Sequence, residues 1–259
     1  MMPFTQAITR KPGESFAEGI TSANLGKPHL ELALDQHAAY RQALERCGLR
    51  VTTFEADERF PDSTFVEDTA ILTPQMAVIT RPGADSRKGE VDAVRAALEA
   101  HYQDVRSIEA PGTVDGGDIC QAGDHFFIGV SARTNPEGAR QLAGHLQAAG
   151  FTTSEIDIRS TAGLLHLKSG LTYLGNGTLL VINDLASQPA FAGYRVLQVP
   201  LESENYAANC IRVNDFVLFA AGFPQTAAML AAEGFDLMLL DMSEFRKMDG
   251  GPSCLSLRF

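Results

Sequence analysis

Cys254 lies in DGGPSC, a glycine-rich run leading into the short apolar stretch CLSLRF, so its thiol is placed at a loop-to-strand junction. A thiol there suits nucleophilic attack, provided a nearby imidazolium or a cationic substrate favours the thiolate. The competing reading is a free cysteine buried as a small hydrophobe, the commoner fate of an unpaired thiol. His166, in GLLHLKSGLTYL, follows an apolar pair and opens a β-rich stretch, which makes it an acid–base group or a hydrogen-bonded core histidine. Glu67 and Asp68 are adjacent inside the otherwise apolar FVEDTAIL, read as a strand. Alternation along a strand exposes only one of two neighbouring side chains, so one carboxylate is expected to point inward. An inward carboxylate needs an internal arginine or a cationic ligand to satisfy it. Asp115 and Asp118 in DGGDI pose the same question, with Asx-type turn bonding as a further choice.

The remaining candidates are expected to be structural. Cys120 and Cys210 fall in strand-like DICQAG and AANCIRV, and Cys47 closes a helical stretch. His37, His101 and His145 lie in helix-like segments, His29 starts one, and His125 sits at a hairpin bend, all read as surface or capping residues. The chain has neither G-x-x-x-x-G-K-[ST] nor G-x-S-x-G, and GNGTLL stops short of a dinucleotide fingerprint.

The elements that must position these residues repeat. FVEDTAILTPQMAVITRP gives two strands about a turn, followed by the helical GEVDAVRAALEAHY; DGGDICQAGDHFFIGVSARTN and PEGARQLAGHLQAAG repeat the order. SGLTYLGNGTLLVIND forms a third hairpin about an Asn-Gly turn with two φ > 0 residues. NCIRVNDFVLFAAGF with PQTAAMLAAEG forms a fourth unit. The fifth is split: CLSLRF pairs with FTQAITRK, and LELALDQHAAYRQALERCG supplies its helix. Each unit reads strand, turn, strand, helix, short strand, at about 40 to 50 residues. Units of this kind close into a ring or alternate in an ordinary α/β sheet; a ring brings Glu67, Asp68, Asp115, Asp118, His166 and Cys254 to one central cavity.

Composition narrows the partners. The 259 residues carry 21 Lys+Arg against 32 Asp+Glu, a net charge of −11, which disfavours a nucleic-acid partner and suits a cationic small molecule. With 45% hydrophobic residues and no linker or low-complexity tract, the chain is expected to form one domain over residues 1–259. Scattered cysteines and no apolar leader in MMPFTQAITRKPGESF point to a cytoplasmic location without a membrane span.

Taken together, FPDSTFVEDTAIL, ITRPGADSRKGE, APGTVDGGDI, GVSARTN, LLHLKSGLTYL, YAANCIRVN and KMDGGPSCLSLRF resemble the dimethylarginine dimethylaminohydrolases of the guanidine-modifying (pentein) superfamily, over essentially the whole chain. The resemblance implies a five-bladed α/β-propeller of ββαβ-type repeats with pseudo-fivefold symmetry around a central active-site channel. It places the nucleophile on Cys254, the general acid/base on His166 and its acidic partner on Asp115, where some relatives carry Glu. Substrate contacts fall on Asp68, with Glu67 and Asp62 beside it, on Phe65, on Arg87 and Arg133 for the α-carboxylate, and on main-chain carbonyls near Ile20 and Met248 for the α-ammonium. Pro252 is a small departure from the pattern. A lid is expected over residues 18–25, from their Gly, Ser and Thr content.

The implied activity is hydrolysis of Nω-methylated L-arginines to L-citrulline and dimethylamine or methylamine through a covalent thiouronium, with no cofactor and no catalytic metal. A Zn²⁺ captured by Cys254, His166 and a carboxylate would be inhibitory. A homodimer is compatible with the sequence. The rival activity is an arginine or agmatine deiminase, which the chain length disfavours. The rival of another class is a non-catalytic binding protein on the same scaffold, which would not need Cys254, His166 and Asp115.

Overall fold

The strand–turn–strand–crossover unit recurs five times in the computed structural model, which describes residues 3–259; Met1 and Met2, at the start of the stretch read for a leader, lie outside it. In chain order the elements are β1 (Gln6–Arg10), α1 (Leu30–Arg46), β2 (Arg50–Phe54), β3 (Ala70–Leu72), β4 (Ala77–Ile79), α2 (Val91–Leu98) and β5 (Val105–Ser107). They continue as β6 (Ile119–Ala122), β7 (His125–Val130), α3 (Pro136–Ala148), β8 (Thr152–Asp157), β9 (Leu171–Gly175), β10 (Thr178–Val181) and β11 (Arg195–Gln198). The last are β12 (Ile211–Val213), β13 (Phe216–Ala220), α4 (Pro224–Ala232), β14 (Asp236–Leu240), α5 (Ser243–Arg246) and β15 (Leu257–Arg258).

Every sheet has three strands, the middle one antiparallel to its hairpin mate and parallel to the strand after the crossover. The split sheet obeys the same rule: β15 pairs antiparallel with β1, which runs parallel to β2. Blades meet through inner strands, β6 with β9, β9 with β12 and β15 with β3, through the turns before β3 and β6, and through α1 against β14. The architecture is a five-bladed α/β-propeller with pseudo-fivefold symmetry.

Sequence patterns account for the layers. Middle strands such as TLLV and FVLFA are covered on both faces and read as continuous apolar runs, whereas the outer strands TTSEID and DLMLL are partly exposed. Helix α3 starts on Asn135, whose side chain accepts the Gly138 N–H at 2.8 Å, with Pro136 in its first turn. Asn176 and Gly177 take the φ values of +50° and +69° that the tight β9–β10 turn requires.

Three expectations need correction. The third unit has no crossover α-helix; residues 183–191 form two 3₁₀ turns, because Pro189 holds Gln188 extended (ψ 127°) and cannot itself sit inside a helix. FVEDTAIL is a strand only from Ala70; Val66–Thr69 is a 3₁₀ turn. Its three-residue period sends neighbouring side chains in different inward directions, so Glu67 and Asp68 are both buried, at 3% and 4% exposure. His37 is no surface residue: α1 turns it into the core, where burial, with Arg41 and Lys11, pushes it down to about 4. Among the described residues, no helix is long and apolar enough to cross a membrane.

Candidate active site

Turns leading into the inner strands carry the polar groups. Asp68 precedes β3, Asp115 caps and Asp118 ends the 3₁₀ turn before β6, His166 caps the turn before β9, and Cys254 lies in the turn before β15. Because inner strands meet around the ring, these turns converge. A cleft there is lined by Ile20, Asp62, Phe65, Asp68, Arg87, Arg133, Leu165, His166, Met248, Asp249, Gly250 and Cys254.

His166 Nε2 lies 3.1 Å from Asp115 Oδ2, and Asp115, fully buried, also accepts the Gly83 N–H on Oδ1 at 2.8 Å. Gly117 packs against the other side of the ring; a Cβ there would sit 2.8 Å from His166 Nδ1, so only glycine allows this approach. Asp118 takes the Leu167 N–H at 3.0 Å and the Ser131 hydroxyl at 2.7 Å, fixing the backbone beside His166. Burial works to discharge the imidazole, but Asp68 foremost, then Asp118 and Asp115, outweigh it and raise it to about 9. The ring is therefore an imidazolium at neutral pH.

Cys254 is half-buried, and burial, with the Glu67 and Asp68 charges, pushes its thiol up to about 11. Without a cation in the cleft it is a neutral thiol. Tyr40, fully buried on α1, donates its hydroxyl to the Pro252 carbonyl at 2.8 Å and lies 2.6 Å from Ser256 Oγ, pinning the chain on both sides of the sulfur. Phe65 reaches the cleft from an aromatic cluster with Phe16 and Phe245.

Arg87 is committed to the protein. Nε and Nη2 bond Glu90, Nη2 also reaches the carbonyls of Asp62 and Phe65, and Nη1 donates to Asp68 at 2.6 Å. Of its five N–H groups one on Nη1 remains for a ligand. Arg133 also lines the cleft, and its guanidinium has no protein acceptor among the described residues. Asp62 accepts the Ile20 N–H at 3.1 Å, tying residues 18–25 to the rim. Ser22 and Thr21 bond Asp249, so the expected lid is strapped to the loop bearing Cys254.

Ligand atoms of Asp68, Asp115 and His166 lie within 4.8 Å of one another, a spacing compatible with a metal. Both carboxylates are engaged by Arg87, Gly117, Gly83 and His166, and Cys254 is not in the group, so a metal there would have to compete with those contacts.

A family model described as arginine deiminase matches residues 53–191. The N(G),N(G)-dimethylarginine dimethylaminohydrolase of Pseudomonas aeruginosa is 47% identical over 257 residues, covering 99% of this chain and 100% of that protein. The chain belongs to the dimethylarginine dimethylaminohydrolase family. Its Streptomyces coelicolor member is 36% identical, covering 99% of this chain and 98% of that one. The Pseudomonas protein solved as a cysteine-to-serine variant with citrulline matches the fold with a TM-score of 0.96 at 46% identity, covering 100% of both chains.

Within this dimethylarginine dimethylaminohydrolase family fold, Glu67 departs from its expected place among the substrate contacts. The 3₁₀ turn directs it away from the cleft into a second cavity of about 680 Å³. There Oε1 meets Lys168 at 2.5 Å and Arg258 at 3.1 Å. Asp115 also does not line the cleft, standing behind His166. Cys47, Cys120 and Cys210 are buried, and burial pushes their thiols up to about 11 or 12.

Sequence reasoning missed Leu165, Asp249 and Gly250 in the cleft wall, and Tyr40 and Asn209 behind it. Asn209 had a usable signal, standing ahead of the fourth inner strand as Asp68 stands ahead of the first. Tyr40 had none, since its apolar helical position fits plain core packing.

Proposed function

We propose that the chain hydrolyses Nω-methylated L-arginines to L-citrulline and dimethylamine or methylamine, acting over residues 1–259 as one catalytic domain. The observation that carries this is Cys254 and His166 lining one cleft with buried Asp68, whose charge favours the His166 imidazolium. That the first and last strands close one sheet supports the single-domain reading. The citrulline in the Pseudomonas structure supports the product.

A methylated guanidinium is a planar cation, and Asp68, with Asp62 at the rim, holds it so that its central carbon faces sulfur. The arriving charge offsets Glu67 and Asp68, and the Cys254 thiol releases its proton to solvent. Sγ attacks the central carbon and the C=N π pair moves to nitrogen, giving a neutral tetrahedral adduct. His166, already charged, protonates the methylated nitrogen; the C–N bond breaks, the amine leaves, and a cationic thiouronium remains. Neutral His166 then takes a proton from water as the hydroxide adds to the same carbon. Collapse expels the thiolate, the hydroxyl proton goes to solvent, and the urea of citrulline is formed. Asp115 holds Nε2 throughout, so Nδ1, which has no protein partner among the described residues, exchanges the protons.

Arg133 and the one free N–H of Arg87 suit an α-carboxylate, and the carbonyls near Ile20 and Met248 suit an α-ammonium. The chain thus takes a free amino acid, and its partner is a cationic small molecule and not a nucleic acid. A cytoplasmic setting fits four unpaired cysteines.

A substrate panel tests the reading. Asymmetric dimethylarginine, monomethylarginine, arginine and agmatine are each followed for amine and citrulline or carbamoylputrescine release. Methylated arginines are expected to lead. Faster ammonia release from arginine or agmatine would assign a deiminase instead.

A further inference from the structure

In four blades the segment entering the inner strand carries Asp68, Asp115, His166 or Cys254; in the fourth blade of the chain the same place holds Asn209, two residues ahead of β12 as Asp68 is two ahead of β3. Asn209 is 3% exposed, and its Nδ2 lies 3.7 Å from Cys254 Sγ. Its Oδ1 accepts the Ser253 N–H at 3.3 Å. That bond decides which end of the amide faces sulfur, because only the oxygen can accept from a backbone N–H.

The amide is held from several sides. Asn209 N donates to the Tyr206 carbonyl at 3.1 Å, and the Thr172 hydroxyl lies 2.7 and 2.8 Å from the carbonyls of Ala208 and Cys210 on either side. Across from it stands Gly251, where a Cβ would come 2.5 Å from Asn209 Cγ; glycine is what lets the amide reach the loop. Asn209 does not line the cleft, so it meets the sulfur from behind and leaves the cleft-facing side open to substrate.

We propose that Asn209 is a positioning residue whose side-chain amide donates to Cys254 Sγ and holds the thiolate aimed into the cleft. The proposal rests on the reading of Cys254 as nucleophile. A thiol is a weak acceptor and a thiolate a strong one, so an N–H held against sulfur favours ionisation. The other groups around the sulfur are Glu67 and Asp68, which oppose ionisation, the backbone of Gly251, which favours it, His166 in the same cleft, the hydroxyls of Tyr40 and Tyr206, and Ser253 Oγ at 3.8 Å. With the backbone of Gly251, Asn209 thus counters two carboxylates as a buried neutral donor, without placing a second cation beside an already cationic substrate.

The test is alkylation of Cys254 by iodoacetamide in the ligand-free protein, quantified on its peptide from pH 7 to 10. Asn209→Asp keeps the shape but replaces the donor with a carboxylate oxygen, and Asn209→Ser removes the reach. Both are expected to slow alkylation about tenfold at pH 9, one unit of thiol ionisation, and to lower kcat while KM stays within about twofold. Rates that match the parent in both variants would overturn the proposal. Should either variant fold poorly, the parent with ¹⁵N-labelled asparagine decides: the Asn209 side-chain amide proton is expected to move downfield along the same pH curve as the alkylation rate, and a flat resonance overturns it. Alkylation does not require turnover, so a Cys254→Ser protein that stayed active would end the nucleophile reading without touching this result.

Discussion

Arg87 Nη1 lies 2.6 Å from Asp68 Oδ2, and both side chains are almost wholly buried. Asp68 Oδ1 meanwhile accepts the Gly117 N–H at 2.8 Å. Burial would protonate such a carboxyl, but Arg87, then His166 and the hydrogen bonds, hold it well below the usual carboxylate range. Asp68 is therefore an anion prepared in advance, already oriented when a guanidinium arrives.

Asp68→Asn keeps the size and removes that charge. Arg87 then retains Glu90 but loses its second anion, and removing one partner of a buried pair costs about 3 kcal/mol. The same change withdraws the largest support for the His166 imidazolium. The expected outcome is a fall in kcat/KM of about 10³ together with a lower His166 titration midpoint, read by steady-state kinetics and by imidazole NMR. Parent-like kcat/KM would remove Asp68 from the substrate site.

Cys254→Ser is expected to lose turnover by about 10⁴ or more, because an alcohol is far harder to ionise than a thiol in a site that already resists ionisation. The Tyr40 bonds to Pro252 and Ser256 do not involve the sulfur, so urea unfolding should place the variant within about 1 kcal/mol of the parent. Binding of citrulline, read by calorimetry, should persist.

His166 gives a pH dependence of defined sign. Its folded value, raised to about 9, exceeds the model-peptide 6.5, so the folded state binds the proton more tightly. The resulting stability, about 3 kcal/mol, is fully present below pH 6.5, declines through the interval, and is gone above pH 9. Urea titrations of the parent and His166→Gln at pH 6 and pH 9.5 should show the parent losing more stability by about that amount. Parallel losses in the two proteins would mean that the ring does not titrate in this window.

Much of this was legible because a propeller repeats its own grammar. Hairpins marked by TPQM, Asn-Gly and Asn-Asp turns fixed the strands, and polar residues ahead of successive inner strands, from Asp68 to Cys254, marked the axis. What failed did so where the local period changed. FVEDTAIL has the apolar content of a strand, and nothing in it announces the 3₁₀ turn that buries both carboxylates in different cavities. The third crossover lost its helix to Pro189, a signal that was present. The commitments of Arg87, made to Glu90 and to two carbonyls, depend on long-range packing that no motif encodes. His37 was misplaced because a helical segment read without its burial face does not say which way the ring turns.

The two placements of Glu67 make different predictions, and Glu67→Gln separates them. As a substrate carboxylate its loss would raise KM by at least about tenfold, the price of one charged contact. In the structure Glu67 faces Lys168 and Arg258 instead, and its turn meets the Cys254 loop through a backbone bond, Glu67 N–H to the Cys254 carbonyl at 3.2 Å. Neutralising it leaves two cations sharing one amide oxygen, with a stability loss of about 3 kcal/mol in urea. It also removes the charge that, after burial, does most to keep the Cys254 thiol protonated. Alkylation at pH 8 should therefore speed up several-fold while KM for dimethylarginine stays within about twofold. A tenfold rise in KM with unaltered thiol reactivity would return Glu67 to the substrate pocket.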